Sequence, residues 1–418
     1  MSEDLLRKDA IQIVNRTIEY VLPDKAVERI LKQIDIGENV TIVAIGKAAW
    51  RMAMSAKEVL GERVVRGIVV TKYGHSQGKI DGIEIYEAGH PVPDQNTIVA
   101  TERVLRTVQG LTDKDTVLFL VSGGGSALFE KPKGNVTLQQ LQDLTEQLLR
   151  SGADILEINA VRKHLSQVKG GRFAQWVYPA RIVSLILSDV LQDRLDTIAS
   201  GPAWPDSTTS QDALKIIERH GIQVDEVIMR ELQEETPKEL FNVQSYVIGS
   251  VRVACEKAAQ IATQLGYNTM ILTTALTCEA KEAGKFIASI AKEVRENNRP
   301  VCRPAALILG GETVVHVKGT GKGGRNQELA LSAAIEIDGF DKIVICAVGT
   351  DGTDGPTDAA GGIVDGTTCE RMSSTDIDPL KMLLNNDSYT ALKAIGDLLV
   401  TGPTGTNVND LIIVLIGL

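Results

Sequence analysis

Short apolar runs rich in β-branched residues recur along the first half of the chain and alternate with segments of helical spacing. The apolar runs predict five buried strands, at residues 40–45, 67–70, 83–86, 116–121 and 182–187. The intervening segments, among them 48–60, 97–109 and 138–150, predict helices. Continuously apolar strands that alternate with helices are typical of a parallel sheet covered on both faces. We therefore expect a Rossmann-like α/β fold with a mostly parallel sheet.

A second series of strands and helices begins after residue 240. It predicts strands at 246–249, 269–273, 305–309, 313–317 and 343–348, and helices at 251–264, 280–297 and 325–336. The 418 residues also exceed what one hydrophobic core normally supports. We expect two domains, residues 1–240 and a smaller α/β domain at residues 241–418.

Charge and cysteine content narrow the class of protein. The formal net charge is -10, from 54 acidic and 44 basic residues, which argues against a nucleic-acid or anionic-membrane partner. The five cysteines are widely spaced and form no C-x-x-C, so we expect core thiols in a reducing compartment. The N-terminus lacks the order of a signal peptide, and no apolar stretch reaches membrane-spanning length. These features predict a cytoplasmic protein.

Polar or glycine-rich segments follow several predicted strands directly. Lys47 follows the first strand, residues 122–126 follow the fourth, and Asp189 follows the fifth. A loop at 349–362 follows the strand at 343–348. Because ligands of open α/β sheets bind outside the carboxyl ends of the strands, we expect these segments to share one cleft.

The segment at 122–126 predicts an anion site. Its residues are Ser122, Gly123, Gly124, Gly125 and Ser126, and a helix start follows. Three successive glycines let backbone N–H groups approach a phosphate closely, and a helix N-terminus adds partial positive charge. The alternative is a tight strand-helix turn with Ser126 as the helix cap. We favour the anion site, although the segment is not a Walker A loop.

Two basic positions suit an anionic ligand. Lys47 lies in the first turn of a predicted helix, where the helix dipole disfavours a cation unless an anion is bound. The segment 317–328 contains G-x-G-x-x-G, but the strand before it alternates, unlike the first strand of a dinucleotide fold. Lys322 and Arg325 are better interpreted as donors to phosphate or carboxylate. The alternatives are a solvated lysine and a basic surface loop.

Other charged segments leave two interpretations open. The loop at 349–362 carries Asp351, Asp354 and Asp358 among five glycines, which suits a magnesium site or a solvated acidic loop. Four basic side chains lie close together in the chain and, taken singly, are interpreted as solvated helix charges. They are Arg162, Lys163, Lys169 and Arg172.

The order of these motifs resembles one known family. The motifs are GKAAW, GHPVPD, SGGGSAL, NAVRKHLSQVKGGR, SDV followed by SGP, GGETVV, GGRNQE and GTDGTDGPTDAAGG. Together they resemble the glycerate 2-kinase family with a MOFRL-type C-terminal domain. The resemblance implies transfer of the γ-phosphoryl group of ATP to the 2-hydroxyl of D-glycerate, with Mg²⁺ or another divalent metal. It also implies a Rossmann-like domain and a MOFRL-type α/β domain with the active site in the cleft between them.

Motif matching and the chemistry of phosphoryl transfer together suggest a role for each residue. Lys47 and Arg325 are the leading catalytic residues and would contact the transferred phosphoryl group and the glycerate carboxylate. The loop of Ser122, Gly123, Gly124, Gly125 and Ser126 would hold ATP phosphates. Asp189 and Asp351 would bind the metal or orient the 2-hydroxyl. Glu312 and Asn326 are further substrate or nucleotide contacts, and Asp354 is a second choice.

Two other classes of protein remain open. A hydroxypyruvate or related 2-keto acid reductase with a nicotinamide cofactor would also use basic residues and a G-x-G-x-x-G string. A non-catalytic nucleotide or sugar-acid binding protein would leave the lysine, arginine and aspartate side chains without a use. The expected partners are D-glycerate and ATP, with a homodimer allowed but not required.

Overall fold

The structure, a computed structural model, describes residues 1–418. The chain forms two compact units, Pro23–Ile248 and a second unit made of Met1–Leu22 with Gly249–Leu418. The predicted division into residues 1–240 and 241–418 is therefore wrong at the N-terminus and displaced by a few residues at the boundary. No helix is both long and apolar enough to cross a bilayer.

The Pro23–Ile248 unit contains a six-stranded sheet. Its strands are β1 (Asn39–Ile45), β2 (Val64–Lys72), β3 (Ile83–Ala88), β4 (Asp115–Val121), β5 (Arg181–Leu187) and β6 (Val243–Gly249). Its helices are α2 (Pro23–Leu31), α3 (Ala49–Leu60), α4 (Gln95–Val108), α5 (Gly125–Leu128), α6 (Leu138–Arg150), α7 (Ile155–His164), α8 (Arg172–Val177), α9 (Ser210–Arg219) and α10 (Glu226–Leu232). The five strands predicted in the first half of the chain are confirmed.

The strand order of this sheet is β3-β2-β1-β4-β5-β6, and the pairs from β3 to β5 are parallel. This is the order of Rossmann dinucleotide-binding folds, in which the chain reverses direction across the sheet between β1 and β4. Strand β6, which we expected to begin the second domain, is the edge strand of this first sheet. The central strands are almost wholly buried, as their apolar runs require.

The second unit contains a mixed sheet. Its strands are β7 (Asn268–Leu276), β8 (Ala305–Gly311), β9 (Ile343–Gly349), β10 (Gly361–Asp365), β11 (Leu398–Leu399) and β12 (Asp410–Ile416). Its helices are α1 (Glu3–Tyr20), α11 (Val251–Gln264), α12 (Ala280–Asn297), α13 (Arg325–Glu336), α14 (Thr368–Ser373), α15 (Pro379–Leu384) and α16 (Ser388–Ala394). The strand order is β11-β10-β9-β12-β8-β7, in which only the β7–β8 pair is parallel.

Two sequence predictions for this unit are wrong. Residues 313–317 form no strand, because only Val314 makes an isolated bridge, to Glu279. Residues 361 and 362, which we assigned to the end of the loop at 349–362, begin strand β10 beside β9. The last strand, β12, inserts antiparallel between β8 and β9. Long-range pairing therefore decides which short apolar segments become strands.

Helix α1 belongs to the second unit because its buried face packs on α11, β9 and β12. The buried side chains include Leu6, Ala10 and Ile13. On the same helix, Arg7 donates hydrogen bonds to Asp365 (2.5 Å) and Asp397 (3.0 Å). Amphipathic spacing predicts that such a helix packs on something, but it does not identify the partner.

Candidate functional site

The turn after β1 and the glycine-rich loop after β4 are joined by hydrogen bonds. The Lys47 N–H donates to the Gly123 carbonyl (2.9 Å), and the Ala48 N–H donates to Ser122 Oγ (3.1 Å). Ser122 Oγ in turn donates to the Ile45 carbonyl (3.3 Å). A β-carbon at Gly46 would lie 2.3 Å from Ser122 Oγ, so only glycine allows this approach. The Ser122 hydroxyl therefore links the glycine-rich loop to the turn after β1.

We call residues 122–126 the anion loop, because three of its amides have no acceptor. The N–H groups of Gly123, Gly124 and Ser126 donate to no carbonyl or side chain of the protein. The following helix, α5, has only four residues, so its dipole is smaller than the sequence suggested. Successive unpaired amides at a glycine-rich turn form a concavity that binds anions. The backbone alone thus offers three donors.

Charged side chains from neighbouring strands converge on this loop. A β-carbon added to Gly123 would lie 2.2 Å from Asp189 Oδ2, which places the carboxylate directly over the glycine. A β-carbon on Gly124 would lie 3.0 Å from the His90 ring and 3.4 Å from Lys47 Cγ. Burial, then the charge of Lys47, lowers the pKa of His90, so its imidazole is neutral at pH 7. Lys47 itself is exposed. Lys47, Asp189 and the loop therefore lie close together at one edge of the sheet, and their role as a binding site stays a prediction.

The anion loop opens into a cavity of about 490 Å³. Such a volume is typical of sites for small organic ligands. The polar part of its wall includes His90, Asn159, Arg162, Asp189 and Arg194. The apolar part of the wall includes Ile155, Leu156, Val190, Leu191 and Ile198.

The basic side chains that we interpreted as solvated helix charges are largely buried. Lys163, Lys169 and Arg172 are 2%, 0% and 9% exposed. Lys163 pairs with Asp206 (3.1 Å), and Arg172 donates to the Lys163 carbonyl (2.6 Å). That interpretation is wrong because acidic side chains and carbonyls distant in sequence enclose these cations.

Arg325 begins helix α13 in the second unit and is held rigidly. Its Nε and Nη2 atoms donate to the two oxygens of Asp410 at 2.5 and 2.9 Å, a bidentate pair. Its Nη1 atom lies 3.2 Å from Glu312 Oε1, and Asn409 donates to the other Glu312 oxygen (3.0 Å). Burial raises the pKa of Asp410 to about 6, although Arg325 opposes the shift. Asp410 and Asn409 were not among the predicted site residues.

The acidic loop after β9 is mainly a structural element. Asp354 accepts hydrogen bonds from the Asn326 N–H (3.1 Å) and the Gln327 N–H (2.9 Å), and so caps α13. Asp358 accepts from the Tyr389 hydroxyl (2.7 Å). Asp351 is half-buried and accepts from the Thr353 N–H (3.0 Å). The loop therefore fixes the start of the helix that carries Arg325.

Asn326 and Glu312 differ in their access to a ligand. Asn326 is 1% exposed and its side chain amide donates to Asp354 (3.3 Å), so direct contact with a substrate would require it to move. Glu312 is exposed beside Arg325. Asn326 therefore has the geometry of a supporting residue, and Glu312 is the one of the two that a ligand can reach.

The second glycine-rich loop is closed by its neighbours. The amides of residues 318–322 donate to the segment 385–387, with distances from 2.8 to 3.1 Å. A β-carbon on Gly319 would lie 2.2 Å from the Asn385 carbonyl oxygen. These glycines permit close backbone packing, and none of the five amides is free for a phosphate.

No group of three or more His, Cys, Asp or Glu side chains is arranged to hold a metal ion without other ligands. Asp189 contributes one carboxylate beside the open amides of the anion loop. Mg²⁺ in nucleotide sites is usually held by one or two carboxylates together with phosphate oxygens. The side chains near the loop therefore suit a metal that arrives with a nucleotide.

Comparison with known proteins gives two family matches and several similar full-length proteins. A family described as a domain of unknown function (DUF4147) matches residues 9–233, and the MOFRL family matches residues 305–410. The chain is 62% identical over 411 residues to D-glycerate 2-kinase of Thermotoga maritima, a match that covers 98% of each chain. It is also 45% identical to an Agrobacterium vitis protein provisionally named a hydroxypyruvate reductase, over 90% of this chain and 87% of that one.

A solved structure is similar over the whole chain. The crystal structure of glycerate kinase from Thermotoga maritima matches with a TM-score of 0.96 at 62% identity, covering 99% of this chain and 100% of that chain. The DUF4147 model spans more than half of the residues. The identity of 62% to the Thermotoga maritima enzyme over nearly the full length is high enough to show membership of one family. The chain therefore belongs to the glycerate 2-kinase family.

Proposed function

We propose that this protein transfers the γ-phosphoryl group of ATP to the 2-hydroxyl of D-glycerate, giving 2-phosphoglycerate and ADP. The observation that carries the proposal is the set of unpaired amides of Gly123, Gly124 and Ser126, which form a donor surface for phosphate oxygens. The sheet supports it, because the anion loop and Lys47 lie at the point between β1 and β4 where such folds bind nucleotides.

Lys47 and Asp189 have complementary roles in this proposal. The transition state of phosphoryl transfer is loose, so the protein contributes mainly position and charge. Lys47 neutralises charge on the transferred phosphoryl group. Asp189 either ligates the metal that accompanies ATP or orients the 2-hydroxyl of glycerate. Magnesium would supply further neutralisation of the phosphates and would be held by Asp189 and phosphate oxygens.

Arg325 is proposed to bind an anionic group of the substrates, either the glycerate carboxylate or the transferred phosphoryl group. Its bidentate pair with Asp410 fixes the guanidinium plane, and Nη1 is directed away from that pair, toward the exposed Glu312. Such preorganisation means that little reorganisation accompanies binding. Metal binding by Asp351, a homodimer, an active site between the domains and a cytoplasmic location stay predictions.

The reductase alternative has weaker support. Its glycine string at 319–324 follows no strand, and the amides of residues 318–322 are occupied. The turn after β1, where a dinucleotide fingerprint belongs, carries the single glycine Gly46 before Lys47. The similarity to a protein with a reductase name therefore stands against the absence of a dinucleotide-binding glycine motif after β1.

Release of ADP from Mg-ATP in the presence of D-glycerate tests the proposal. We expect Lys47→Ala and Arg325→Ala to lower kcat/KM by about a hundredfold or more, as loss of a charge-stabilising donor does. The exposed residues Lys114 and Arg299 offer matched controls, and their alanine variants should retain wild-type rates. Near wild-type kcat/KM in the Lys47 or Arg325 variant would remove that residue from the mechanism.

A further inference from the structure

A buried charge cluster lies behind the anion loop, and the proposed chemistry does not use it directly. Lys169 is completely buried, and its Nζ atom donates to the carbonyls of Ser126 (2.7 Å) and Phe129 (2.8 Å). The same ammonium lies 3.4 Å from Oε2 of Glu130, which is also completely buried. The Lys169 ammonium therefore binds carbonyls of the single turn, α5, that begins within the anion loop.

Arg162 reinforces the same contact. Its Nη2 atom donates to the Ser126 carbonyl (3.0 Å) and lies 3.5 Å from Glu130 Oε2. A carbonyl oxygen has two lone pairs, so Lys169 and Arg162 together occupy both acceptor positions of the Ser126 carbonyl. With Glu130 between them, the two cations and one anion leave a net positive charge behind the loop.

The hydroxyl of Ser126 is fixed as well. Ser200 Oγ donates to Asn159 Oδ1 (3.1 Å), so in the Ser126–Ser200 contact (3.0 Å) Ser126 must be the donor. Ser200 has a φ of 61°, an unfavourable value for a residue with a β-carbon, and its carbonyl accepts from the Gly170 N–H (3.0 Å). The adjacent residues Lys169 and Gly170 thus hold Ser126 through both its carbonyl and its hydroxyl.

Stability alone gives little reason to keep this ion pair. Burial lowers the pKa of Lys169 to about 8, which means that enclosing the charge opposes folding. Apolar side chains of similar volume often replace buried ion pairs without loss of stability. The pair nevertheless lies against a turn whose amides remain open, so its position relates to the ligand.

We propose that Lys169 and Glu130 are positioning residues for the anion loop, and that the pair fixes Ser126 so that the amides of Gly123, Gly124 and Ser126 face the phosphates. This inference rests on the proposed function for the identity of the ligand. It predicts that removing the pair weakens phosphate binding more than it weakens the fold.

The test compares two buried pairs of similar chemistry. The variant Lys169→Met/Glu130→Gln removes the pair and leaves the net charge unchanged. The control Lys163→Met/Asp206→Asn removes an equally buried pair, 3.1 Å apart, whose side-chain hydrogen bonds do not reach the anion loop. Binding of inorganic tripolyphosphate is measured by calorimetry, the KM for Mg-ATP and for D-glycerate by ADP release, and folding by thermal unfolding.

We expect the Lys169/Glu130 variant to bind tripolyphosphate at least tenfold more weakly and to raise the KM for Mg-ATP by a similar factor. The KM for D-glycerate should change less than twofold, and the control should bind tripolyphosphate within twofold of wild type. If the double variant does not fold, Lys169→Gln, which keeps two N–H donors but no charge, should show at least a fivefold loss.

Unchanged tripolyphosphate binding in the folded Lys169/Glu130 variant would overturn the proposal, as would an equal loss in the control. The calorimetric result also separates this inference from the proposed function. An enzyme that binds tripolyphosphate through the loop but does not phosphorylate glycerate would refute the function and leave the positioning role intact.

Discussion

Replacing Gly123 by alanine tests the placement of Asp189 over the anion loop. The new β-carbon would lie 2.2 Å from Asp189 Oδ2, whereas an ordinary van der Waals contact begins near 3.4 Å. One of the two groups must therefore move by about 1.2 Å. Gly123 has no positive φ, so the backbone itself accepts alanine. The clash falls on a side-chain carboxylate and not on backbone atoms.

The structure therefore predicts a loss of activity without a loss of stability. A misplacement of about 1 Å in a catalytic group commonly costs a hundredfold in rate, or ~2.7 kcal/mol. We expect kcat/KM for D-glycerate to fall by about that factor in Gly123→Ala. The free energy of unfolding should change by less than about 1 kcal/mol, because the overlap falls on a side-chain carboxylate and the backbone of residue 123 accepts alanine.

A double-mutant cycle identifies the partner in this clash. In an Asp189→Ala background the added methyl group has no carboxylate to displace, so Gly123→Ala should cost less than a further twofold. The reasoning would be refuted if Gly123→Ala kept more than a third of wild-type kcat/KM. A full hundredfold loss in the Asp189→Ala background would show instead that the methyl group disturbs something other than Asp189.

Three further predictions follow from individual contacts. Gly319→Ala meets the Asn385 backbone at 2.2 Å, so it should lower the unfolding temperature while the folded fraction, normalised by active-site titration, keeps its kcat. Asp410, whose pKa burial raises to about 6, becomes protonated as the pH falls through about 6, and its charge-assisted hydrogen bonds to Arg325 weaken. The wild-type kcat/KM should decline there, and Asp410→Asn should lack that inflection. Lys169, with its pKa lowered to about 8, binds a proton more readily when unfolded. The free energy of unfolding should therefore rise between about pH 8 and 10.5 relative to Lys169→Met/Glu130→Gln, and a flat difference between the two proteins would contradict the assignment.

The first sheet and the positions of Lys47 and Asp189 could be predicted because they depend on short stretches of sequence. Continuously apolar runs identify buried strands, and parallel strands bring their carboxyl ends to one edge. A residue just after such a strand is therefore assigned to the site without any knowledge of its contacts. The helix at Arg325–Glu336 was predicted with its observed bounds for a similar reason, since a glycine-rich entry precedes a long helical run.

Long-range contacts decided what could not be predicted. The two glycine-rich loops look alike in sequence, yet the anion loop keeps three amides open whereas residues 318–322 bond to the segment 385–387. Lys169 stands in a polar, basic stretch that suggests solvent, but Glu130 and two carbonyls enclose it. Helix α1 has an apolar face that predicts burial and leaves open against which unit it packs.

Nuclear magnetic resonance of the reaction product tests the central claim most directly. Incubation of the protein with D-glycerate and Mg-ATP, followed by phosphorus and proton spectra, should show ADP and a phosphate ester on carbon 2 of glycerate in equal amounts. Lys47→Ala should form this product at least a hundredfold more slowly, in line with the loss of one charge-stabilising donor. Absence of ADP together with consumption of NADH in the presence of hydroxypyruvate would contradict the account.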